Sequence, residues 1–349
     1  MPLSPTQRIL EELSVVSVQI VWLVLLGLML SGYFVLAGYD YGTQMLYSLV
    51  GRDASTRRVT RGALGPFFFG NEVWLVAFVG VLFGAFPLLE GELLAGLYPL
   101  LILLLAGLVV GKAAVQLRGR MESPSAGRLF DLLIVFGGLV PAMGWGLVVG
   151  LLLRGVPLRD DGTFTLGWSE VLDPFVVSAG LSNVLLLAAH GATFLSMRAR
   201  GEVAQRARNL ARPLLISAIV AVLATALLGG RTAVTRPVIA LALAGVLVAA
   251  LLGALVAAAL GPRGSAFAAT SVAALLPVPL IFASLYPFIL VSHADGGPGL
   301  TVAEAAADSG TLRMLLPVGA VVIPVVIACQ VMSWWLFRGR VGHQTPSYF

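Results

Sequence analysis

The sequence predicts an all-α polytopic membrane protein of about nine transmembrane helices. Three observations predict it: charge is scarce, the apolar runs are long, and the arginines cluster between those runs. Of 349 residues, 58% are hydrophobic and 11% charged, against roughly 25% charged in an average soluble domain. A soluble chain of this length would form about two domains, and this one has too little polar surface to cover two cores. Its solvent is therefore lipid. The single cysteine, Cys329, lies in an apolar run, which excludes a disulfide framework or a Cys-based metal site within the chain and suggests packing. Met1 to Leu13 carries Arg8, Glu11 and Glu12 and lacks the basic region and small-residue cleavage site of a signal peptide, so the first apolar run is read as a retained span.

A bilayer core about 30 Å thick needs roughly 20 apolar residues per helix. Charges and turn residues bound nine such runs at about 13–39, 66–89, 93–111, 132–153, 174–197, 213–230, 237–261, 264–292 and 314–337. Pro66, Pro174, Pro213 and Pro237 open four of them, where a missing N–H costs nothing because first-turn donors have no intrahelical partner. Pro141, Pro277, Pro279 and Pro324 fall inside runs and are expected to kink helices. The longest connection, Asp40 to Gly65, is 26 residues, so the whole of 1–349 reads as a single integral membrane domain.

Nine spans place alternate connections on opposite faces. One face receives Arg52, Arg57, Arg58, Arg61, Lys112, Arg118, Arg120, Arg128, Arg198, Arg200, Arg206, Arg208, Arg212, Arg263, Arg338 and Arg340; the other receives Arg8, Arg154, Arg159, Arg231, Arg236 and Arg313. The richer face is expected to be cytoplasmic, with the N-terminus outside and the C-terminus inside. The net charge of +5 is thus explained by topology, and the clusters form no continuous stripe of the kind nucleic acid requires. Arg198 to Arg212 reads as a linker against anionic headgroups.

Ionisable groups inside spans are expensive and are the first functional candidates. Glu72 lies roughly 9 Å into the second run and His190 roughly 12 Å from the end of the fifth, at about 1.5 Å per residue. Asp40 ends the first run and Asp131 precedes the fourth on the same face. Acids and histidine in series can pass protons where water is sparse, so the set reads as a proton path entering from the cytoplasm. Blander readings stand beside it. Asp131 fits an acid in a helix's first turn, and Asp40 is either a cap at headgroup level or a relay. His190 precedes Gly191-Ala192 and can simply hydrogen-bond across a close helix contact. Glu72, a lone carboxylate in the body of a span, is too deep for a cap. One span histidine cannot supply a haem site of its own, because His293 and His343 fall outside the spans. There is no Walker loop, dinucleotide fingerprint, His-Glu-x-x-His or Ser/His/Asp set, so the chain alone is not expected to be catalytic.

Gly38-Tyr39-Asp40-Tyr41-Gly42, Gly65-Pro66 and Gly70-Asn71-Glu72-Val73-Trp74-Leu75 resemble subunit II of the cytochrome bd quinol oxidases. Ala85-Phe86-Pro87, Arg154-Gly155-Val156-Pro157, Asp173-Pro174-Phe175, His190-Gly191-Ala192-Thr193-Phe194-Leu195 and Tyr286-Pro287-Phe288 follow in that family's order. The resemblance spans the chain and includes the nine-helix count. It implies a haem-free subunit in a bacterial-type inner membrane that supports a haem-bearing subunit I, with or without a small third subunit, as the complex oxidises quinol and reduces oxygen to water. It also implies a proton route from the cytoplasm through this subunit. Two departures stand out: the family's Trp-Asp before Gly-Asn is Phe68-Phe69 here, and its Asp-Gly in the first motif is Ala37-Gly38. Glu72 occupies a site where the family holds acid or amide. Proton handling is therefore expected of Glu72, Asp40 and His190, with Phe67, Phe68, Phe69, Gly70, Asn71 and Trp74 lining or plugging the entrance. Two rival readings are a secondary transporter, suggested by proline-broken spans and buried acids, and an assembly partner that has lost the proton function, suggested by Phe69.

Overall fold

A computed structural model describes residues 5–65, 67–159, 163–293 and 299–345. Pro66 and the side chains of Arg8, Glu11, Glu12 and Arg231 lie outside the described residues. Among the described residues, nine helices are long and apolar enough to cross a membrane: Val16–Met45, Phe67–Ala85, Tyr98–Arg120, Pro124–Arg154, Pro174–Arg198, Gly201–Leu228, Pro237–Leu260, Arg263–Leu285 and Ser309–Leu336. They are called the first to ninth spans in that order.

Several helices overrun their apolar runs, because a helix can continue through the headgroups once its polar residues find partners. The fourth begins at Pro124, where Ser123 Oγ accepts from the Ala126 amide. The sixth begins at Gly201, so Pro213 lies inside it rather than at its start. The ninth begins at Ser309, capped by Asp308 through the Thr311 amide. The second span is interrupted instead: a short turn of helix, Phe67–Gly70, gives way to Val73–Ala85, leaving Asn71 and Glu72 at the break.

Hydrogen bonds gather the connections into two ends. At one, Arg57 meets Asp131, Arg206 donates to Val50 O, and Val341 pairs with the backbone of Arg198 and Arg200. At the other, Ala233 N donates to Leu153 O, Thr235 N to Ser284 O and Ala307 N to Ala85 O, beside a hairpin of Phe288–Val291 with Gly299–Thr301. The first end carries the arginine-rich connections and is called the basic end.

The fifth span is the most buried, and the ninth is almost wholly on the outside. Close approach at the centre depends on paired glycines. A Cβ on Gly42 would lie 2.0 Å from Leu187 O and 2.7 Å from Gly191 Cα, locking the first span to the fifth. A Cβ on Gly137 would lie 2.1 Å from Gly111 Cα, doing the same for the third and fourth. Contacts of this kind replace the hydrophobic drive that lipid cannot supply between helices.

Candidate functional site

The site forms where the first, second and third spans meet near the basic end. Asp40 lies in the last turns of the first span and is fully buried. The break in the second span lets Asn71 turn inward, where Nδ2 donates to Asp40 Oδ2 at 3.0 Å, to Tyr39 Oη at 2.8 Å and to Leu36 O at 3.1 Å. Gln330 of the ninth span completes the line: its Nε2 donates to Asn71 Oδ1 at 3.2 Å, and its Oε1 accepts from Trp74 Nε1 at 3.4 Å.

Lys112 sits at the centre, and its placement overturns the reading of it as a connection charge. It is buried in the third span, which continues to Arg120. Its Nζ is 3.3 Å from Asp40 Oδ2 and 2.9 Å from Glu72 Oε1. It also donates to Phe68 O and stands 3.6 Å from the centroid of the Phe68 ring. Glu72 is therefore not a lone carboxylate. A first cation bounds an apolar run in the sequence, but a cation paired across helices does not end a span. The turns after Lys112, Ala113-Ala114-Val115, are apolar, and that continuation was the available signal.

Glu72 keeps about a fifth of its side chain accessible, against none for Asp40. Although 2.9 Å from Lys112, neither of its oxygens meets hydrogen-bond geometry, so the contact is a charge pair rather than an aligned bond. Asp40 Oδ1, Thr43 Oγ1 and Gln44 Oε1 are also buried without hydrogen-bond partners among the described residues. Phe67 and Phe68 are buried, while Phe69, where the resemblance places an acid, is half exposed on the outside. Gly70 ends the short helical turn that carries these rings.

His190 stands apart from the carboxylates. Its Nε2 donates to Val35 O at 3.0 Å, since a carbonyl only accepts, and in a neutral ring Nδ1 then accepts from Thr270 Oγ1 at 2.8 Å. The ring stacks on Phe267 at 5.0 Å, beside Tyr39.

Asp131 is corrected as well. Its helix starts at Pro124, which puts it in the second turn, buried, with Oδ2 2.7 Å from Arg57 and Oδ1 2.6 Å from Arg118. Arg61 donates to Tyr47 Oη at 2.5 Å nearby. The acid anchors the first connection to the bundle rather than capping a helix, because the polar turn 124–131 is helical beyond the apolar run.

Fold and site together define a multi-pass membrane protein whose interior site is ionic. Among the described residues, no group of three His, Cys, Asp or Glu is placed to hold a metal ion. The family described as cytochrome bd terminal oxidase subunit II matches residues 18–337. Cytochrome bd ubiquinol oxidase subunit 2 of Bacillus subtilis is 30% identical over 328 residues, covering 93% of this chain and 97% of the relative. Cytochrome bd-I ubiquinol oxidase subunit 2 of Escherichia coli is 33% identical over 213 residues, 60% of this chain and 55% of that relative. A chain of the bd oxidase from Geobacillus thermodenitrificans has the same fold, with a TM-score of 0.67 at 17% identity over 92% of this chain and 98% of its own. The chain belongs to the cytochrome bd terminal oxidase subunit II family.

Proposed function

We propose that this chain is the haem-free partner of a haem-bearing subunit I in a quinol-oxidising, oxygen-reducing complex of a bacterial-type inner membrane, and that Asp40, Lys112 and Glu72 pass protons inward from the cytoplasmic face. One observation carries the proton reading: two carboxylates face one buried ammonium. One negative charge is left over, and a proton reaching the Glu72 carboxylate, whose oxygens are buried beneath a partly accessible stem, can neutralise it and move on towards Asp40. The buried free acceptors of Asp40, Thr43 and Gln44 are suited to ordered water that would extend the route. With Lys112 inside the third span, fifteen of the 22 Lys and Arg lie on the face with this entrance, which supports its cytoplasmic assignment. His190 does not fit a haem ligand, because both ring nitrogens are engaged, and this supports the haem-free reading.

Glu72→Gln tests the proposal in the assembled complex. It should leave assembly and haem content intact while slowing quinol-driven oxygen consumption about tenfold, or about 1.4 kcal/mol of barrier. Turnover at the parental rate at every pH would refute the relay. It would favour the assembly-partner reading, which rests on Phe69 standing where the resemblance expects an acid.

A further inference from the structure

We propose that the basic end carries a site for the phosphate of an anionic phospholipid headgroup, built from Arg200, Arg263 and Arg340. The three come from distant parts of the sequence: backbone pairing joins the segments of Arg200 and Arg340, and Arg263 opens the span packed beside them. The fifth span ends at Arg198. There the C-terminal segment docks: Arg200 N donates to Val341 O at 2.8 Å, Val341 N to Arg198 O at 2.9 Å, and Arg340 Nη2 to Ala199 O at 2.6 Å. The stem of Arg200 runs along this segment, with its Cβ and Cδ 3.6 Å from where a Gly342 Cβ would stand. The eighth span opens beside them, since a Cβ on Gly264 would lie 3.9 Å from Met197 Sδ.

All three arginines are exposed, and among the described residues none of them is in an ion pair. The acid next in sequence, Glu202, is held by Arg206. Other arginines of this end have partners: Arg57 and Arg118 share Asp131, and Arg338 donates to Trp335 O while lying over its ring. Partial burial, then the charges of Arg263 and Arg200, hold the Arg340 guanidinium below its usual pKa, and no carboxylate offsets them. Like charges held together by the fold without a counter-charge are stabilised by a shared anion, and guanidinium forks match phosphate oxygens in pairs. The height of the cluster identifies the source. It lies where the fifth, eighth and ninth spans leave the apolar layer, which is headgroup level.

The test uses the full chain in its purified native complex, reconstituted in phosphatidylcholine nanodiscs with a trace of headgroup-photoactivatable phosphatidylglycerol. Cross-links should map to segments 197–203, 261–266 and 336–345. The triple variant Arg200→Gln, Arg263→Gln, Arg340→Gln should lower labelling at least about tenfold, whereas a charge-matched control with Arg52→Gln, Arg208→Gln and Arg212→Gln should not. In the unaltered complex, unlabelled phosphatidylglycerol should displace the probe, and phosphatidylcholine and inorganic phosphate should not. These competitions need no variant to fold. Equal labelling in the triple variant, equal loss in the control, or displacement by phosphatidylcholine overturns the site. Displacement by inorganic phosphate as readily as by phosphatidylglycerol overturns the lipid assignment in favour of a soluble anion.

Discussion

Replacing Lys112 by methionine keeps the stem and removes the charge that two carboxylates share. Asp40 loses a partner at 3.3 Å in a fully buried setting, where stranding a charge costs about 3–5 kcal/mol. Glu72 loses one at 2.9 Å, but that pair lacks hydrogen-bond alignment and only the Glu72 oxygens, not its stem, are buried, so its share is set at about 1 kcal/mol. Loss of the ammonium over the Phe68 ring adds about 1 kcal/mol. A destabilisation of about 5–7 kcal/mol follows if the carboxylates stay charged, and less if they recruit a proton. Reversible unfolding in mixed micelles measures it, and a double-mutant cycle apportions it. Asp40→Asn in the Lys112→Met background should recover about 2–3 kcal/mol, because Glu72 is then the one carboxylate left without the cation. Glu72→Gln alone should cost under about 1 kcal/mol, since it leaves one acid facing one ammonium. If Lys112→Met costs no more than Glu72→Gln, or Asp40→Asn worsens it, the cluster is not the buried charge balance described.

Three further outcomes can be checked. Asp131→Asn should destabilise by about 2–3 kcal/mol, reduced from the fully buried case by the partial exposure of Arg57 and Arg118; a thermal midpoint equal to that of the parent would restore the capping role. Asp53 caps the helix Ala54–Leu64, and hydrogen bonds from Ser55 and Thr56 hold its carboxyl below the usual range. Its folded pKa is depressed, so the cap is fully formed above the unfolded value of about 3.9 and is lost as pH falls through the folded one. Amide exchange over 55–58, corrected for intrinsic rates, should rise in acid in the parent and not in Asp53→Asn, which caps without titrating. A cysteine at Ser55 in a Cys329→Ser background should react with impermeant reagents from the cytoplasm, and labelling from outside would invert the topology.

The nine-helix fold was legible because lipid demands long apolar helices and tolerates few charges, which leaves a coarse pattern that one sequence displays. The site was half legible. Asp40 and Glu72 stand out as acids beside apolar runs, but their partner does not, because in the sequence Lys112 has the look of a charge that ends a run. For the same reason Asp131 reads as a first-turn acid although its helix begins seven residues earlier at Pro124. Asn71 was visible only as part of a motif. Its role as donor to both Tyr39 and Asp40 depends on the break in the second span, and no local propensity at Gly70-Asn71-Glu72 announces which way those side chains turn. The cluster of Arg200, Arg263 and Arg340 was beyond reach, since it exists only through the return of the C-terminal segment to the end of the fifth span.

The glycine contacts have a consequence for how this interior can change. Asp40 is two residues from Gly42, Lys112 follows Gly111, and His190 precedes Gly191, so each ionisable side chain is anchored beside a point where two helices touch backbone to backbone. The helices that carry acid and ammonium are thereby held to their neighbours by main-chain contact, which sets where each side chain starts. A single methyl at Gly111 would stand 2.7 Å from Gly137 Cα and 2.6 Å from Gln44 Oε1. Pushing those helices apart would shift Lys112 relative to both carboxylates at once. Charge can be exchanged at these addresses, but the addresses themselves cannot drift.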